Sequence, residues 1–176
     1  MNAMHNVRVE AARATAERAR SDPTAAQLAV DLRGEWRVDA GLPQFGATVK
    51  FAKGETTLEA DFPAFLSGDG RAPSPLIYCF YGALSCYAST YAMQAAMAGV
   101  AIDGLTARLR LTVDFRGALA VADVVPMDMF RFELEVRSPA SDADLDRVKA
   151  LASARCPAIW AMEHQVPYEI TVHRAG

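Results

Sequence analysis

The sequence contains few of the residues that build metal sites or disulfide frameworks. Only three cysteines and three histidines occur among its 176 residues. This number of cysteines is too small for a disulfide framework, and neither Cys-x-x-Cys nor His-x-x-x-His spacing occurs. We therefore expect no bound metal, and each thiol has to be considered by itself.

An excess of positive charge is also missing. The 18 Lys and Arg residues are interspersed with 21 Asp and Glu residues, which gives a formal net charge of -3. This balance provides no electrostatic footprint for nucleic acid or for anionic lipid. The first twenty residues lack the uninterrupted apolar stretch of a secretory signal. We expect a soluble cytoplasmic protein with neither nucleic acid nor membrane as a partner.

Charge disappears entirely from residues 72–102. The middle of this run, residues 76–98, is long enough for a membrane span at about 1.5 Å per residue. Its serine, threonine, glutamine, glycine and tyrosine residues weaken membrane insertion, and no positive cluster flanks it. We predict instead a helix that is hydrophobic all round and buried in the centre of the protein or of its oligomer.

Alternating apolar and polar residues predict strands on both sides of this helix. The predicted strands cover residues 28–38, a hairpin of 47–51 and 58–62 around Lys53-Gly54-Glu55, then 105–115, 130–137 and a closing strand at 166–172. Further helices are predicted at 8–20, at 141–155 with a Ser141 cap, and from Cys156-Pro157. This order indicates an α+β fold, with an N-terminal arm at 1–26 and a single domain at 27–176.

The positions of Cys86 and Cys156 indicate different reactivities. Cys156 precedes Pro157 at a predicted helix start, where free N–H groups stabilise a thiolate and Arg155 could add to the effect. Cys86 lies inside the apolar helix, where burial raises the pKa of a thiol. Chemistry alone therefore ranks Cys156 as the more reactive, although a free cysteine taken by itself is more often a small core residue.

The spacing of the cysteines limits their pairing. Cys79 and Cys86 share a helix face but lie about 10 Å apart along the axis, too far for a disulfide. A disulfide of Cys86 would therefore involve either Cys156 or another chain.

The two cysteine contexts together resemble the OsmC/Ohr family, the osmotically inducible and organic hydroperoxide resistance proteins. The resemblance begins near Leu28, and its strongest parts are Pro73-Ser74-Pro75-Leu76 before the helix of Cys86, and Cys156-Pro157 before the last strand. It implies an OsmC-like fold in which antiparallel sheets wrap around long central helices in an intertwined homodimer.

The resemblance also implies a thiol-dependent peroxidase. Cys86 would attack an organic hydroperoxide or hydrogen peroxide, Cys156 would resolve the product as a disulfide, and an external dithiol would regenerate both thiols. No metal or organic cofactor would take part. Cys79 would be a packed core residue.

The sequence departs from the family pattern at the groups that activate the thiol. The hydroperoxide-resistance branch uses an arginine tied to a glutamate, but the glutamate position is Leu76 and the arginine position falls near Gln44. Arg37, Lys50 and Arg71 are unaligned substitutes. Two alternatives therefore stay open: a non-enzymatic dimer that binds a small apolar ligand at the subunit interface, and a structural dimer with inert thiols.

Overall fold

The computed structural model describes residues 4–174 and places two antiparallel sheets and four α-helices within that range. In chain order the elements are α1 Val9–Ser21, β1 Gly34–Trp36, β2 Phe45–Phe51, β3 Gly54–Ala60, α2 Pro75–Met97, β4 Gly104–Arg110, β5 Arg131–Arg137, α3 Asp142–Arg155 and α4 Pro157–Glu163. Short 3-10 turns precede β1 and α2. This order confirms the predicted α+β class.

The first sheet has the strand order β1-β2-β3, and both pairings are antiparallel. β2 and β3 form the predicted hairpin. Phe51 pairs with Gly54, so the turn is Ala52-Lys53, one residue earlier than predicted. Two-residue connections are the commonest hairpin loops, because they match the twist of the paired strands.

The predicted strand over residues 28–38 is wrong for most of its length in the single chain. Only Gly34–Trp36 pairs with β2. The alternating apolar residues outside that pairing expose at least 66% of their surface; they are Leu28, Val30, Leu32 and Val38. Such a segment forms a strand only where its backbone has a neighbouring strand and its apolar face has a core. Within residues 4–174, the segment 28–33 has neither.

α2 is the predicted long helix, with ends within one residue of the predicted 76–98. Pro75 stands at the first helical position, where its missing N–H breaks no helical hydrogen bond. The helix ends before Gly99, whose φ of +71° belongs to the left-handed region that favours glycine. The sequence therefore encodes both ends of the helix.

The core forms where α2 packs against α3 and the second sheet. Its buried members are Tyr87, Tyr91, Ala95, Val100, Val148, Ala152 and Cys156. On the sheet side, the ring of Phe132 meets the ring of Tyr87 edge-on, with centroids 5.5 Å apart. Small residues on α3 allow close helix packing, since Ala152 is completely buried.

The second sheet consists of β4 and β5, which pair antiparallel along their whole length. β5 confirms the predicted strand, but β4 ends at Arg110 instead of continuing to residue 115. β5 offers no further residues to pair with, because it begins at the partner of Arg110. Beyond it, only a single bridge joins Val113 to Met127.

α3 and α4 meet at Cys156, which caps the end of one helix and the start of the other. Ser141 accepts a hydrogen bond from the N–H of Asp144 at 3.2 Å, which confirms the predicted cap of α3. Pro157 is the first residue of α4, as predicted. The chain turns here because proline has no N–H with which to continue α3.

The predicted closing strand at 166–172 is also wrong for the single chain. This segment pairs with no other strand of residues 4–174, and its apolar residues are exposed, from 49% for Val166 to 92% for Val172. The physical reason is the same as for residues 28–33. Amphipathic alternation is present, but no neighbouring strand or core lies against it within the described chain.

α1 confirms the predicted exposed helix of the arm, and it ends at Ser21, before Asp22-Pro23. The arm contacts the rest of the chain where α1 meets α2 and at His5, whose Nε2 lies 2.9 Å from the carbonyl oxygen of Val100. The division into an arm at 1–26 and one domain at 27–176 stays a prediction.

Part of α2 remains uncovered in the single chain. Ile77, Tyr81 and Met93 are exposed, although the helix carries no charge. Despite this apolar surface, none of the helices described combines enough length with enough sustained hydrophobicity to cross a membrane.

Candidate functional site

The structure brings Cys86 and Cys156 into contact. Cys86 lies at the middle of α2, and Cys156 lies at the junction of α3 and α4, 70 positions later. Their sulfur atoms are 3.7 Å apart. A disulfide bond requires about 2.05 Å, so a small shift of either side chain would bring the sulfurs within bonding distance.

Backbone hydrogen bonds hold Cys156 at this place. Its N–H donates to the carbonyl of Ala152 at 2.9 Å, and its own carbonyl accepts the N–H of Trp160 at 3.0 Å. The cysteine is therefore tied into both α3 and α4. Because α3 packs closely on α2, the junction presents its sulfur to Cys86.

The two thiols differ strongly in exposure. Cys156 exposes 1% of its surface, whereas Cys86 is partly exposed. A solute approaching the described chain from solvent therefore reaches Cys86 and not Cys156. This order is the opposite of the reactivity that helix capping alone suggested.

The surroundings of Cys86 act on its pKa in both directions. Burial raises the pKa of the thiol, while hydrogen bonding from the backbone N–H of Ala158 lowers it. Contact with Cys156 raises the pKa further, and hydrogen bonding from the hydroxyl of Thr90 lowers it. The net result is a pKa above the ordinary value, so the neutral thiol is favoured near neutrality.

The arginines considered as activating groups make their contacts elsewhere. Arg37 pairs with Glu59 at 2.7 Å and Arg71 pairs with Asp69 at 2.9 Å, both near the first sheet. Arg155 donates to Gln94 Oε1 at 2.6 Å instead of reaching a sulfur. None of these three guanidinium groups is among the causes that shift the pKa of Cys86.

The position that the resemblance assigned to an activating arginine holds a structural residue. Gln44 donates to the carbonyl of Ser67 at 3.2 Å and accepts the N–H of Phe62 at 3.1 Å. These bonds tie the loop before α2 to the first sheet. Gln44 therefore stabilises the loop before α2, and its neutral side chain cannot act as the activating cation.

The prediction that Cys79 is a packed core residue is wrong for the single chain. Cys79 is exposed. The buried residues of α2 begin at Ala83, one turn further along. Sharing a helix face with Cys86 was therefore not enough to bury Cys79.

Sequence reasoning missed two residues near the cysteine pair, Thr90 and Gln94. Both are buried, at 7% and 5% exposure, and they follow Cys86 at steps of four along α2. Residues four apart lie one above the other on a helix. A polar residue at each of these two steps, in a charge-free helix, was the available signal.

The described part of the chain contains no set of side chains that could bind a metal ion. Among residues 4–174, no three or more His, Cys, Asp or Glu side chains are grouped so that they could hold an ion. Glu163 and His164 lie at the end of α4. There the His164 ring stacks on Trp160, with centroids 4.4 Å apart.

Both the sequence and the fold are similar to those of known proteins. The family model described as OsmC-like protein matches residues 68–171, which is more than half of the chain. No curated protein matches. An OsmC-like protein from Mycoplasma pneumoniae superimposes with a TM-score of 0.59 at 16% identity, covering 79% of this chain and 90% of that one.

Two proteins of Vibrio cholerae O1 biovar eltor str. N16961 give similar results. An OsmC-like protein of unknown function has a TM-score of 0.51 at 12% identity, covering 77% of this chain and 94% of its own. A protein named as a putative organic hydroperoxide resistance protein, with captopril bound in one of its active sites, has a TM-score of 0.50 at 15% identity, covering 80% and 89%. These structures share the fold, and the family match covers both cysteines of the site. The chain belongs to the OsmC-like protein family.

Proposed function

We propose that this chain is a thiol-dependent peroxidase that reduces organic hydroperoxides or hydrogen peroxide, with Cys86 as the attacking thiol and Cys156 as the resolving thiol. The observation that carries the proposal is the 3.7 Å contact between one accessible and one buried sulfur. The cycle needs neither a metal nor an organic cofactor.

The proposed cycle has three steps. The Cys86 thiolate attacks the terminal peroxide oxygen, the O–O bond breaks, and the substrate leaves as an alcohol, or as water from hydrogen peroxide. The sulfenic acid on Cys86 then condenses with the Cys156 thiol, forming the disulfide and one water molecule. An external dithiol reduces the disulfide and is itself oxidised. A reducing cytoplasm is the compartment in which such a dithiol would act.

Stoichiometric oxidation tests this cycle. Protein treated with one equivalent of an organic hydroperoxide is expected to lose two hydrogens in mass, with the peptides of Cys86 and Cys156 linked after digestion. Replacing Cys156 by Ser is expected to leave sulfenic acid or carry it on to sulfinic acid, because no thiol remains to intercept it. A disulfide through Cys79, or no change in mass, would contradict the proposal.

The raised pKa of Cys86 predicts the pH dependence of its reactivity. Alkylation at low reagent concentration is expected to modify Cys86 before Cys156, since Cys86 is the accessible member of this pair. Because the thiolate is the nucleophile and the pKa is above its ordinary value, the rate is expected to rise about tenfold per pH unit through neutrality. Peptide mapping of the alkylated sites measures both effects. A plateau below pH 7 would contradict this prediction and would indicate an activating cation.

A second candidate function is the binding of a small apolar ligand by a non-enzymatic dimer. One observation favours it: an apolar groove of about 690 Å³ lies beside the first half of α2. Its lining comprises Ile77, Phe80, Tyr81, Leu84, Leu109, Arg110, Leu111 and Val113. The lack of an arginine at the thiols also agrees with this candidate. Peroxide consumption that does not depend on Cys86 would favour it over the enzyme.

We further propose that the working unit is a homodimer. Three apolar surfaces of the single chain support this: the uncovered side of α2, the segment 28–38 and the segment 166–172. Monomeric proteins rarely expose apolar surface of this extent. Among residues 4–174, the segments 28–33 and 166–172 also have no neighbouring strand for their backbone groups. A second copy of the chain would supply both strand partners and apolar cover.

A further inference from the structure

Two of the three buried polar side chains in the described chain lie on the same helix, α2. Among residues 4–174 the three are Asp61, Thr90 and Gln94. Asp61 has a local task, since its Oδ2 accepts the N–H of Arg71 at 2.8 Å and so shapes the loop before α2. The other two lie on α2, in line with Cys86. Burying an amide is unfavourable unless it is hydrogen-bonded, so Gln94 must have a partner.

That partner is Arg155. Its Nη1 donates to Gln94 Oε1 at 2.6 Å, a hydrogen bond that links α2 to the last residue of α3 across 61 positions. A charged donor makes such a bond stronger than one between neutral groups. Because Gln94 is 5% exposed, water competes little for its oxygen.

We propose that the Gln94–Arg155 hydrogen bond is a clamp that holds the α3–α4 junction against α2, so that Cys156 stays within reach of Cys86 while the disulfide forms. The residue after Arg155 is Cys156 itself, so the clamp acts on the backbone that carries the resolving thiol. Arg155 and Gln94 are thus positioning residues. The inference rests on the proposed function, in which Cys156 must attack a modified Cys86.

The contacts favour a positioning role over an electrostatic one. Burial, Ala158, Cys156 and Thr90 shift the pKa of Cys86, and Arg155 is not among these causes. Removing Arg155 is therefore expected to leave the first reaction of Cys86 unchanged and to slow the second reaction, in which Cys156 attacks. An unchanged first reaction with a slower second one would distinguish a positioning role of Arg155 from that of an activating cation.

The test uses an aromatic disulfide reagent, dithiobis(nitrobenzoate), on the full chain with Cys79→Ser as background. The Cys86 thiolate displaces one thionitrobenzoate and forms a mixed disulfide, and Cys156 then displaces the second, closing the Cys86–Cys156 bond. The absorbance of released thionitrobenzoate therefore rises in two phases, the first from the reaction of Cys86 and the second from that of Cys156. Peroxide plays no part, so failure of the clamp can be told apart from failure of the peroxidase proposal.

Four variants test the clamp. In Gln94→Leu and Arg155→Ala, we expect the second phase to slow by about tenfold or more, because a small displacement of Cys156 from Cys86 lowers the reaction rate strongly. The first phase should keep its wild-type rate. Arg155→Lys retains a charged donor and Gln94→Glu retains an acceptor. We expect the second phase in these two variants to be close to its wild-type rate. Arg147→Ala is the matched control, because Arg147 is an exposed arginine of α3 that pairs with Asp144.

Two results would overturn the inference. One is a second phase at the wild-type rate in both Gln94→Leu and Arg155→Ala. The other is an equal slowing in Arg155→Ala and Arg155→Lys, with Gln94→Leu unaffected, because the hydrogen bond would then not be the cause. If a variant unfolds, the recovery of the second phase in Arg155→Lys or Gln94→Glu still decides the outcome.

Discussion

Replacing Cys86 by Ser is expected to reduce dithiol-supported peroxide consumption to the uncatalysed background. The serine hydroxyl is not ionised near neutral pH and cannot form a sulfenic acid, so the first step of the proposed cycle has no nucleophile. Peroxide loss in the presence of a small dithiol measures the effect. This is the largest change that we expect from any single substitution.

The third cysteine provides the control for this experiment. Cys79→Ser removes a thiol from the same helix, two turns before Cys86, but the thiol is exposed and away from the sulfur pair. Turnover is expected to remain close to that of the unaltered chain. Equal peroxide consumption in the wild type and in Cys86→Ser would end the enzyme proposal and leave ligand binding as the better explanation.

Assembly is expected to depend on the apolar side of the C-terminal segment. The unaltered chain should have twice the mass of one 19.0 kDa chain in light scattering. Tyr168→Asp combined with Ile170→Asp places two carboxylates on exposed apolar positions, which we expect a second copy to cover. Burying unpaired carboxylates is highly unfavourable, so this variant should be monomeric or aggregated.

A variant with the same added charge on the other face of the segment is the control. Gln165→Asp with Thr171→Asp also adds two carboxylates, but at polar positions of the alternating pattern. We expect it to remain dimeric. A stable monomer for the unaltered chain would rule out the dimer proposal, and dissociation of both variants would show that added charge alone has this effect.

The sequence predicted the local parts of this fold well, because their signals are local. The charge-free run at 76–98 marks α2, and Ser141 marks the start of α3. Cys156-Pro157 marks the helix junction. Each depends on the physical properties of a few neighbouring residues. The contact between Cys86 and Cys156 was one of two pairings left open by their spacing, and only the structure places the sulfurs together.

Features that depend on distant partners could not be read from the sequence. Alternation at 28–38 and 166–172 shows that one face is apolar, but it does not show what covers that face. Likewise, the exposure of Cys79 depends on which part of α2 the rest of the chain covers. The Gln94–Arg155 bond joins residues whose side chains have no sequence signal in common. Tertiary contacts decide all three.

The unequal burial of the two sulfurs also determines which sulfur of the proposed disulfide a reductant attacks. A reductant arriving from solvent can approach the sulfur of Cys86, whereas Cys156 is shielded. Thiol–disulfide exchange proceeds by attack on one sulfur and departure of the other as thiolate. The mixed disulfide would therefore form on Cys86, and Cys156 would be the leaving group. The departing Cys156 thiolate stays beside the new mixed disulfide on Cys86. It would therefore attack Cys86 again and expel a reductant that has a single thiol. Only a reductant whose second thiol attacks quickly would complete the turnover.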